Sequence, residues 1–268
     1  MKIDIVINPV GLSPQQFIEA VATAEVAGFD AIWTYDHMSG AVLGGGAPLD
    51  VWTLLTLIAT TTKRVDFGPL VINATTRHPA HIALAASTLA NLSGGRFLLG
   101  LGAGAGPESP YAAELRMLGL PMFDAARRRT IVTDTTEYLR ALWGGAPKFS
   151  SDTASFSQPD HVVTPCRVPS IMIGVNGPLM AAVAGRHADG INVHSWERDV
   201  ASLIEVARVA NDGVRPFTAT VEGVLDGDWL APHSDLRRDL KRLGANRIML
   251  PWRTEMGLAA INDAHPQA

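Results

Sequence analysis

The chain has 268 residues, 47% of them hydrophobic and 18% charged, with a formal net charge of −4. This length and apolar content support one large buried core, so we expect a single domain over residues 1–268. The scattered basic residues argue against a nucleic-acid partner, and no apolar run is long enough for a membrane span or a signal peptide. Cys166 is the only cysteine, which suits a reducing cytoplasm.

Strand and helix signals alternate along the first hundred residues. Ser13, Pro14 and Gln16 form a helix start with a capping box, and Gly28 is placed to end that helix. Short apolar runs are typical of buried strands, and longer periodic runs are typical of helices. The predicted strands are 3–8, 30–35, 65–72 and 96–101. The predicted helices between them are 13–28, 50–62 and 79–92.

The alternation breaks between residues 102 and 167, which predicts an insertion after strand four. We expect a long helix over 123–143 and a Pro/Ser/Asp-rich loop over 144–165. Four further strands are predicted at 170–174, 190–193, 216–223 and 247–250, with a short closing helix over 256–268. Eight strands separated by helices favour an α/β fold, a (β/α)8 TIM barrel with that insertion. The alternative is an open doubly wound sheet.

Small, polar and ionisable residues follow several predicted strands, where barrel enzymes place their ligands. Asp36 and His37 follow strand two, and a histidine there can exchange protons near neutral pH, although a surface pair or a helix cap is the alternative. Gly102, Ala103 and Gly104 follow strand four and allow a ligand to approach the main chain. No Walker A lysine follows them.

The segment Gly174, Val175, Asn176, Gly177 and Pro178 links strand five to a predicted helix. Backbone N–H groups at such a helix start bind phosphate, although an ordinary Asn-Gly turn is the alternative. The histidines lack metal-ligand spacing, so no metal is expected. The sequence has no Gly-x-Ser-x-Gly motif, so a serine hydrolase is not expected either. Trp52 and His194 are weaker candidates for substrate contacts, since Trp52 follows a glycine-rich loop and His194 ends a strand.

Taken together, these motifs resemble bacterial luciferase-like oxidoreductases over about residues 1–200. The motifs in chain order are Gly28-Phe29-Asp30, Asp36-His37, Arg77-His78-Pro79, Ser93-Gly94-Gly95-Arg96-Phe97, Leu99-Gly100-Leu101-Gly102-Ala103-Gly104, Arg127-Arg128 and Ala188-Asp189-Gly190-Ile191-Asn192. The resemblance implies a (β/α)8 barrel that binds FMN or the deazaflavin coenzyme F420.

The Asp-His pair is similar to that of the F420-dependent branch. This implies that Asp36 lies near the deazaflavin and that His37 is the catalytic residue. It also implies a non-prolyl cis peptide at about Leu70-Val71 behind the ring, with Asn73 close by. The other residues assigned to the cofactor by resemblance are Gly102, Ala103, Gly104, Gly174, Val175, Asn176, Gly177 and Pro178.

The sequence departs from that branch at two places. Sugar-phosphate dehydrogenases of the branch carry a glutamate where this chain has Ala105, and Glu108 lies three residues further, as a weak substrate candidate. The chain is also short between Gly223 and Arg247, so a reduced substrate cap is expected.

Three functions remain open at this point. The leading one is F420-dependent hydride transfer to or from a small organic substrate, with His37 supplying a proton. The second is an FMN-dependent monooxygenase that uses O2 and reduced flavin from a partner reductase. The third is a non-catalytic flavin-binding relative, which Ala105 and the shortened C-terminal half motivate. The resemblance also implies a homodimer and a flavin or F420 reductase system as partner.

Overall fold

The computed structural model describes residues 1–43, 45–160, 162–196 and 199–264. Its strands are β1 Lys2–Ile7, β2 Ala31–Thr34, β3 Asp66–Pro69, β4 Ile72–Asn73, β5 Leu99–Gly102, β6 Lys148–Ser150, β7 Ser155–Ser157, β8 Ile171–Gly174, β9 Gly190–His194, β10 Thr218–Glu222 and β11 Arg247–Trp252. Its helices are α1 Pro14–Ala27, α2 Val51–Thr61, α3 Pro79–Leu92, α4 Ala112–Met117, α5 Ala125–Trp143, α6 Pro178–His187, α7 Val200–Asn211, α8 Gly227–Leu230, α9 Asp235–Arg242 and α10 Ala259–Asp263. No helix in these ranges is long and apolar enough to cross a membrane.

Nine of the strands form one parallel sheet that closes on itself. Its order is β3-β2-β1-β11-β10-β9-β8-β5-β4, so the two ends of the sheet are β3 and β4, the two parts of predicted strand three. The Phe67 N–H donates to the Arg96 carbonyl at 3.1 Å, and the Leu98 N–H donates to the Phe67 carbonyl at 2.8 Å, which joins β3 to the segment leading into β5. The predicted eight-stranded barrel is therefore confirmed, and the open sheet is excluded.

Successive side chains of each strand point to opposite faces of the sheet, so the apolar residues form two separate cores. Residues such as Ile5, Ile32 and Val193 point outward and pack against the helices. Val6, Trp33, Leu70, Met172 and Met249 point inward and fill the barrel. The filled interior leaves ligands only the rim of the barrel, above these side chains.

The insertion contains more structure than the sequence predicts. The loop expected over 144–165 holds an antiparallel hairpin, β6 with β7, in which Phe149 lies opposite Phe156 and both rings contact Tyr138. Each hairpin strand has only three residues and a single apolar side chain, so the sequence shows no periodic pattern from which the hairpin could be predicted. The prediction of an unstructured loop was wrong there. The predicted closing helix is shorter, α10, and residues 265–268 lie outside the described residues.

An ion pair is buried at the amino-terminal end of the barrel. Asp4 is fully buried, its Oδ2 accepts from Trp33 Nε1 at 2.8 Å, and Arg247 Nε lies 2.9 Å from the same oxygen. Burial raises the pKa of Asp4 to about 7, although Arg247 and Trp33 act in the opposite direction. Removal of the carboxylate from water thus outweighs the neighbouring positive charge.

Because the pKa of Asp4 is raised in the folded chain, we expect the free energy of unfolding to decrease as pH rises. Between about pH 4 and 7 the folded chain keeps a proton that the unfolded chain has released, so the contribution of Asp4 is lost as pH rises through that window. Asp4→Asn should flatten the decline by up to about 1.4 kcal/mol per pH unit. Urea unfolding of both proteins across the window measures this, and identical slopes would contradict it.

Candidate active site

Most of the predicted site residues meet at the carboxyl-terminal rim of the barrel. Parallel strands all end at the same rim, so residues far apart in sequence become neighbours there. Asp36 and His37 follow β2, Asn73 ends β4, Gly104 follows β5, and His194 ends β9.

Asp36 is held by a two-pronged ion pair. Arg77 Nη1 donates to Asp36 Oδ2 at 2.6 Å and Nη2 donates to Oδ1 at 2.7 Å, while the Asn73 N–H donates to Oδ2 at 3.1 Å. The Asp36 side chain is only 3% exposed. Burial raises the pKa of Asp36, and Arg77 opposes that shift. The carboxylate therefore ties the end of β2 to the segment between β4 and α3 and fixes the backbone that carries His37.

His37 contacts a glutamate that the sequence did not point to. Its Nδ1 lies 2.9 Å from Glu114 Oε1, and the Ser39 N–H donates to the same oxygen at 3.3 Å. The ring of Tyr111 stacks on the imidazole at 5.5 Å between centroids. The pair is mostly buried, with side-chain exposures of 20% for the histidine and 13% for the glutamate. Glu114 can therefore orient the ring and leave Nε2 for another partner.

Glu114 comes from α4, a short helix in the insertion that sequence analysis missed. From the sequence, Glu108 is the carboxylate considered near Ala105, and in the structure Glu108 is exposed. The sequence does contain a signal for this helix, because the apolar residues Ala112 and Leu115 are three positions apart, as on one face of a helix. The structure buries both of them. The insertion thus delivers a carboxylate to His37 from nine residues beyond Ala105.

The expected cis peptide is present between Leu70 and Val71, where β3 ends. The Val71 side chain lies over glycines of β5 and β8. A Cβ on Gly102 would be 2.3 Å from Val71 Cγ2, and a Cβ on Gly174 would be 3.4 Å from the same atom. The lack of a side chain at Gly102 therefore makes room for Val71, whereas a Cβ on Gly174 would be in ordinary van der Waals contact with it. Together, the cis peptide and Val71 form a wall on one side of the rim.

Gly104 needs both its backbone conformation and its lack of a side chain. Its φ is +64°, and a Cβ would lie 2.5 Å from Asn73 Oδ1. That oxygen accepts from the Thr75 N–H at 2.9 Å and the Thr75 hydroxyl at 2.8 Å, so the amide is held in place. Gly104 therefore lets the loop after β5 pack directly on Asn73.

We expect Gly104→Ala to lower the free energy of unfolding more than Gly94→Ala does. Gly94 has nearly the same φ, +65°, but nothing lies within 4 Å of its Cβ position. Both variants carry the cost of a left-handed alanine, about 1 kcal/mol, and Gly104→Ala adds an overpacking cost of about 1–3 kcal/mol. Urea denaturation measures the difference. Equal losses would show that the contact with Asn73 is not restrictive.

The predicted phosphate loop forms the start of α6. Gly177 is the N-cap, no side chain caps the first turn, and Pro178 occupies the first helical position. Nothing lies within 4 Å of a Cβ on Gly177, and Asn176 is exposed. Val175 is buried and its N–H donates to the Asn192 carbonyl at 2.9 Å. The open first turn is suited to binding an anion through backbone N–H groups.

His194 belongs to a second histidine–glutamate pair. Its Nδ1 lies 2.9 Å from Glu222 Oε2, its ring stacks on Trp196 at 4.3 Å, and Glu222 Oε1 accepts from the Tyr35 hydroxyl at 2.9 Å. Burial and the charge of Glu222 raise the pKa of Tyr35 well above its usual range. Sequence analysis missed Glu222 and Tyr35. The other weak candidate, Trp52, is half-buried in α2 and packs on the outer core.

Comparison with known proteins identifies the family. The model of the luciferase-like monooxygenase family matches residues 5–215, most of the chain. The chain belongs to this family. Among curated proteins, this luciferase-like chain is 28% identical over 222 residues to the F420-dependent glucose-6-phosphate dehydrogenase of Amycolatopsis mediterranei, covering 79% of this chain and 62% of the relative. It is 30% identical over 188 residues to the F420-dependent hydroxymycolic acid dehydrogenase of Mycobacterium tuberculosis, covering 67% and 50%.

Solved structures share the luciferase-like fold. An F420-dependent secondary alcohol dehydrogenase in complex with an F420-acetone adduct superimposes with a TM-score of 0.80 at 17% identity, covering 99% of this chain and 98% of the other. The monooxygenase RslO1 from Streptomyces bottropensis gives 0.69 at 19% identity, covering 98% and 78%. At these identities the likeness concerns the fold. The chain spans only about half to three-fifths of the length of the curated relatives named above.

Proposed function

We propose that this luciferase-like protein transfers a hydride between F420 and a small organic substrate, with His37 as the catalytic residue. The observation that carries the proposal is the His37–Glu114 pair at the same rim as the uncapped start of α6. The F420-dependent names of the curated relatives support the choice of cofactor. When bound, the deazaflavin supplies the carbon that accepts or releases the hydride.

An unpartnered amide level with the last residue of β8 fits a flavin-type ring. Asn192 is 5% exposed, and among the described residues its Oδ1 and Nδ2 have no hydrogen-bond partner. It pairs in register with Gly174, and its neighbours Ile191 and Val193 point outward, so its side chain points inward. Leaving a buried amide unpaired costs about 1–3 kcal/mol. The carbonyl and N–H groups of a pyrimidine ring would complement it.

The rest of the site offers one surface for each part of such a cofactor. We propose that the wall of Leu70 and Val71 backs the ring. The uncapped start of α6 is suited to the phosphate group of the cofactor side chain. We propose that Asn73, Ala103 and Gly104 line the edge between these surfaces.

His37 would handle the proton that accompanies hydride transfer. Glu114 occupies Nδ1, so Nε2 is the nitrogen able to take a proton from, or return it to, a substrate hydroxyl. The Asp36–Arg77 ion pair keeps the His37 backbone in place. Placement of the reacting groups contributes the larger share of the rate acceleration.

An FMN-dependent monooxygenase is the second candidate, with a flavin reductase as partner. The fold similarity to monooxygenase RslO1 favours it, and Asn192 would complement the pyrimidine ring of FMN equally well. The non-catalytic alternative is motivated by Ala105 and by the shortened C-terminal half. Glu114 weakens the first motive because it supplies a carboxylate to His37, while the second motive remains. We also propose a cytoplasmic homodimer, which light scattering of the purified protein would test.

Titration of the purified protein with F420 and with FMN tests the proposal. We expect F420 to bind in the micromolar range and FMN more weakly, as measured by equilibrium dialysis. Cofactor reduction is then followed with a panel of alcohols, aldehydes and enones. Binding of FMN without binding of F420 would overturn the first candidate. Binding of F420 without turnover on any substrate would favour a binding protein.

A further inference from the structure

The wall of Leu70 and Val71 has a polar counterpart across the barrel. In the ring of eight strands, β10 lies four places from the strand formed by β3 and β4, which is the largest possible separation. β9 lies next to β10. A ring backed by the cis peptide would therefore turn its free face toward β9 and β10, and a substrate on that face would lie against these strands.

The inward-facing residues of β9 and β10 form a polar wall, defined here as Asn192, His194, Thr220 and Glu222. Their neighbours in sequence point outward into the helical core. In register, His194 pairs with Glu222, and Asn192 pairs with Thr220. Each of the four carries at least one buried polar atom with no hydrogen-bond partner in the described part of the chain. His194 Nδ1 and Glu222 Oε2 face each other as an ion pair, whereas the atoms of Asn192 and Thr220 have no partner of either kind among the described residues. Unpartnered buried polar atoms are costly, so the wall is suited to a polar ligand.

Glu222 is placed to fix the orientation of the His194 imidazole. Its side chain is 3% exposed, one oxygen accepts from Tyr35, and the other lies 2.9 Å from His194 Nδ1. That distance suits an ion pair, although its angles are not those of a hydrogen bond. With Nδ1 facing the carboxylate, Nε2 is the nitrogen left for a ligand. The ring is one-third exposed and is supported from one side by Trp196.

The charges at the rim bear on the class of substrate. Within the described ranges, neither Glu114 nor Glu222 has a Lys or Arg nitrogen within 4 Å, and each is paired with a histidine. Whenever the two imidazoles are neutral, neither carboxylate is in contact with a positive charge, although Arg128 lies at the same rim, where it donates to the Gly104 carbonyl at 2.8 Å, and the charge of Arg253 acts on Tyr35. Two largely buried negative charges repel a phosphate or carboxylate on a substrate, more strongly than they would in water.

We propose that His194, positioned by Glu222, binds the oxygen of a neutral alcohol or carbonyl substrate opposite the cis peptide. Neutral His194 accepts a hydrogen bond from a hydroxyl at Nε2, and the protonated ring donates one to a carbonyl. This inference rests on the proposed function. It adds a second histidine to the site and disfavours phosphorylated substrates.

Histidine ring resonances in ¹H–¹⁵N NMR spectra test this directly, with and without F420. Cyclohexanol is the neutral probe and glucose 6-phosphate the anionic one. We expect cyclohexanol to shift His194 resonances and glucose 6-phosphate to bind at least about tenfold more weakly. Glu222→Gln should weaken the binding of cyclohexanol about tenfold, because a His194 ring that is no longer held by the carboxylate loses its hydrogen bond to the alcohol, and it should change which His194 nitrogen is protonated.

The chain provides a matched control. His187 Nδ1 lies 3.1 Å from Glu137 Oε1 on the outer helices α6 and α5, so Glu137→Gln removes a similar pair away from the rim. It should leave cyclohexanol binding unchanged. If Glu222→Gln fails to fold, His194→Gln, at a partly exposed position, should show the same loss of binding, measured by calorimetric titration with cyclohexanol because this variant has no His194 resonance.

Three outcomes would overturn the inference: no cyclohexanol effect on His194, equal binding of glucose 6-phosphate, or unchanged affinity in the Glu222 and His194 variants. Quenching of F420 fluorescence reports cofactor binding separately. Its absence would reject the proposed function, while the His194 resonances without F420 still decide the role of the wall.

Discussion

His37→Ala should lower turnover by about 10²–10⁴-fold, the usual contribution of a positioned acid or base. Affinity for F420 should stay within about threefold, because the wall of Leu70 and Val71 and the start of α6 are unchanged. Glu114→Gln should have a smaller effect, about 10–100-fold, because it weakens one charged hydrogen bond to His37. Steady-state kinetics and F420 titration measure both quantities.

His187→Ala is the control, because His187 is paired with Glu137 on the helical surface and lies outside the rim. It should leave turnover unchanged. Equal losses of turnover and F420 affinity in His37→Ala would show that His37 binds the cofactor instead of moving a proton. If Glu114→Gln behaved like wild type, the insertion would have no part in orienting the imidazole.

Arg77→Leu should lower the free energy of unfolding by about 3–5 kcal/mol. The change leaves the Asp36 carboxylate buried without its cationic partner, and the Asn73 N–H cannot compensate for a whole charge. Burial already raises the pKa of Asp36 against the opposing effect of Arg77. Urea denaturation measures the loss.

Arg140→Leu provides the comparison. Arg140 Nη2 lies 2.8 Å from Asp189 Oδ1, but both side chains are more exposed, at 36% and 23%. Water and Arg215, whose Nε lies 3.7 Å from the same oxygen, remain beside that carboxylate, so the loss should be smaller, about 1 kcal/mol. If both variants lost the same stability, the burial of Asp36 would not be the cause of the larger effect expected for Arg77→Leu.

Features of the fold that depend on near neighbours were predictable. The capping box of Ser13 with Gln16 and the left-handed Gly28 appear as expected, because each involves residues within a few positions. The third strand was different. Its apolar run gave no sign that the strand divides into β3 and β4, and only the family resemblance indicated the cis peptide at Leu70-Val71. The hairpin of β6 and β7 was missed because its strands are too short for a pattern.

The sequence alone determined the alternation of strands and helices, the rim positions of Asp36 and His37, and the family resemblance. Only the tertiary structure decided which groups these residues face. Glu114 contacts His37 across 77 residues, and Tyr35 contacts Glu222 across 187. These contacts could not be predicted because periodicity and capping patterns contain information only about residues that are close together along the chain. Closure of the barrel brings the ends of distant strands to one rim, and there burial and hydrogen bonding select the partners.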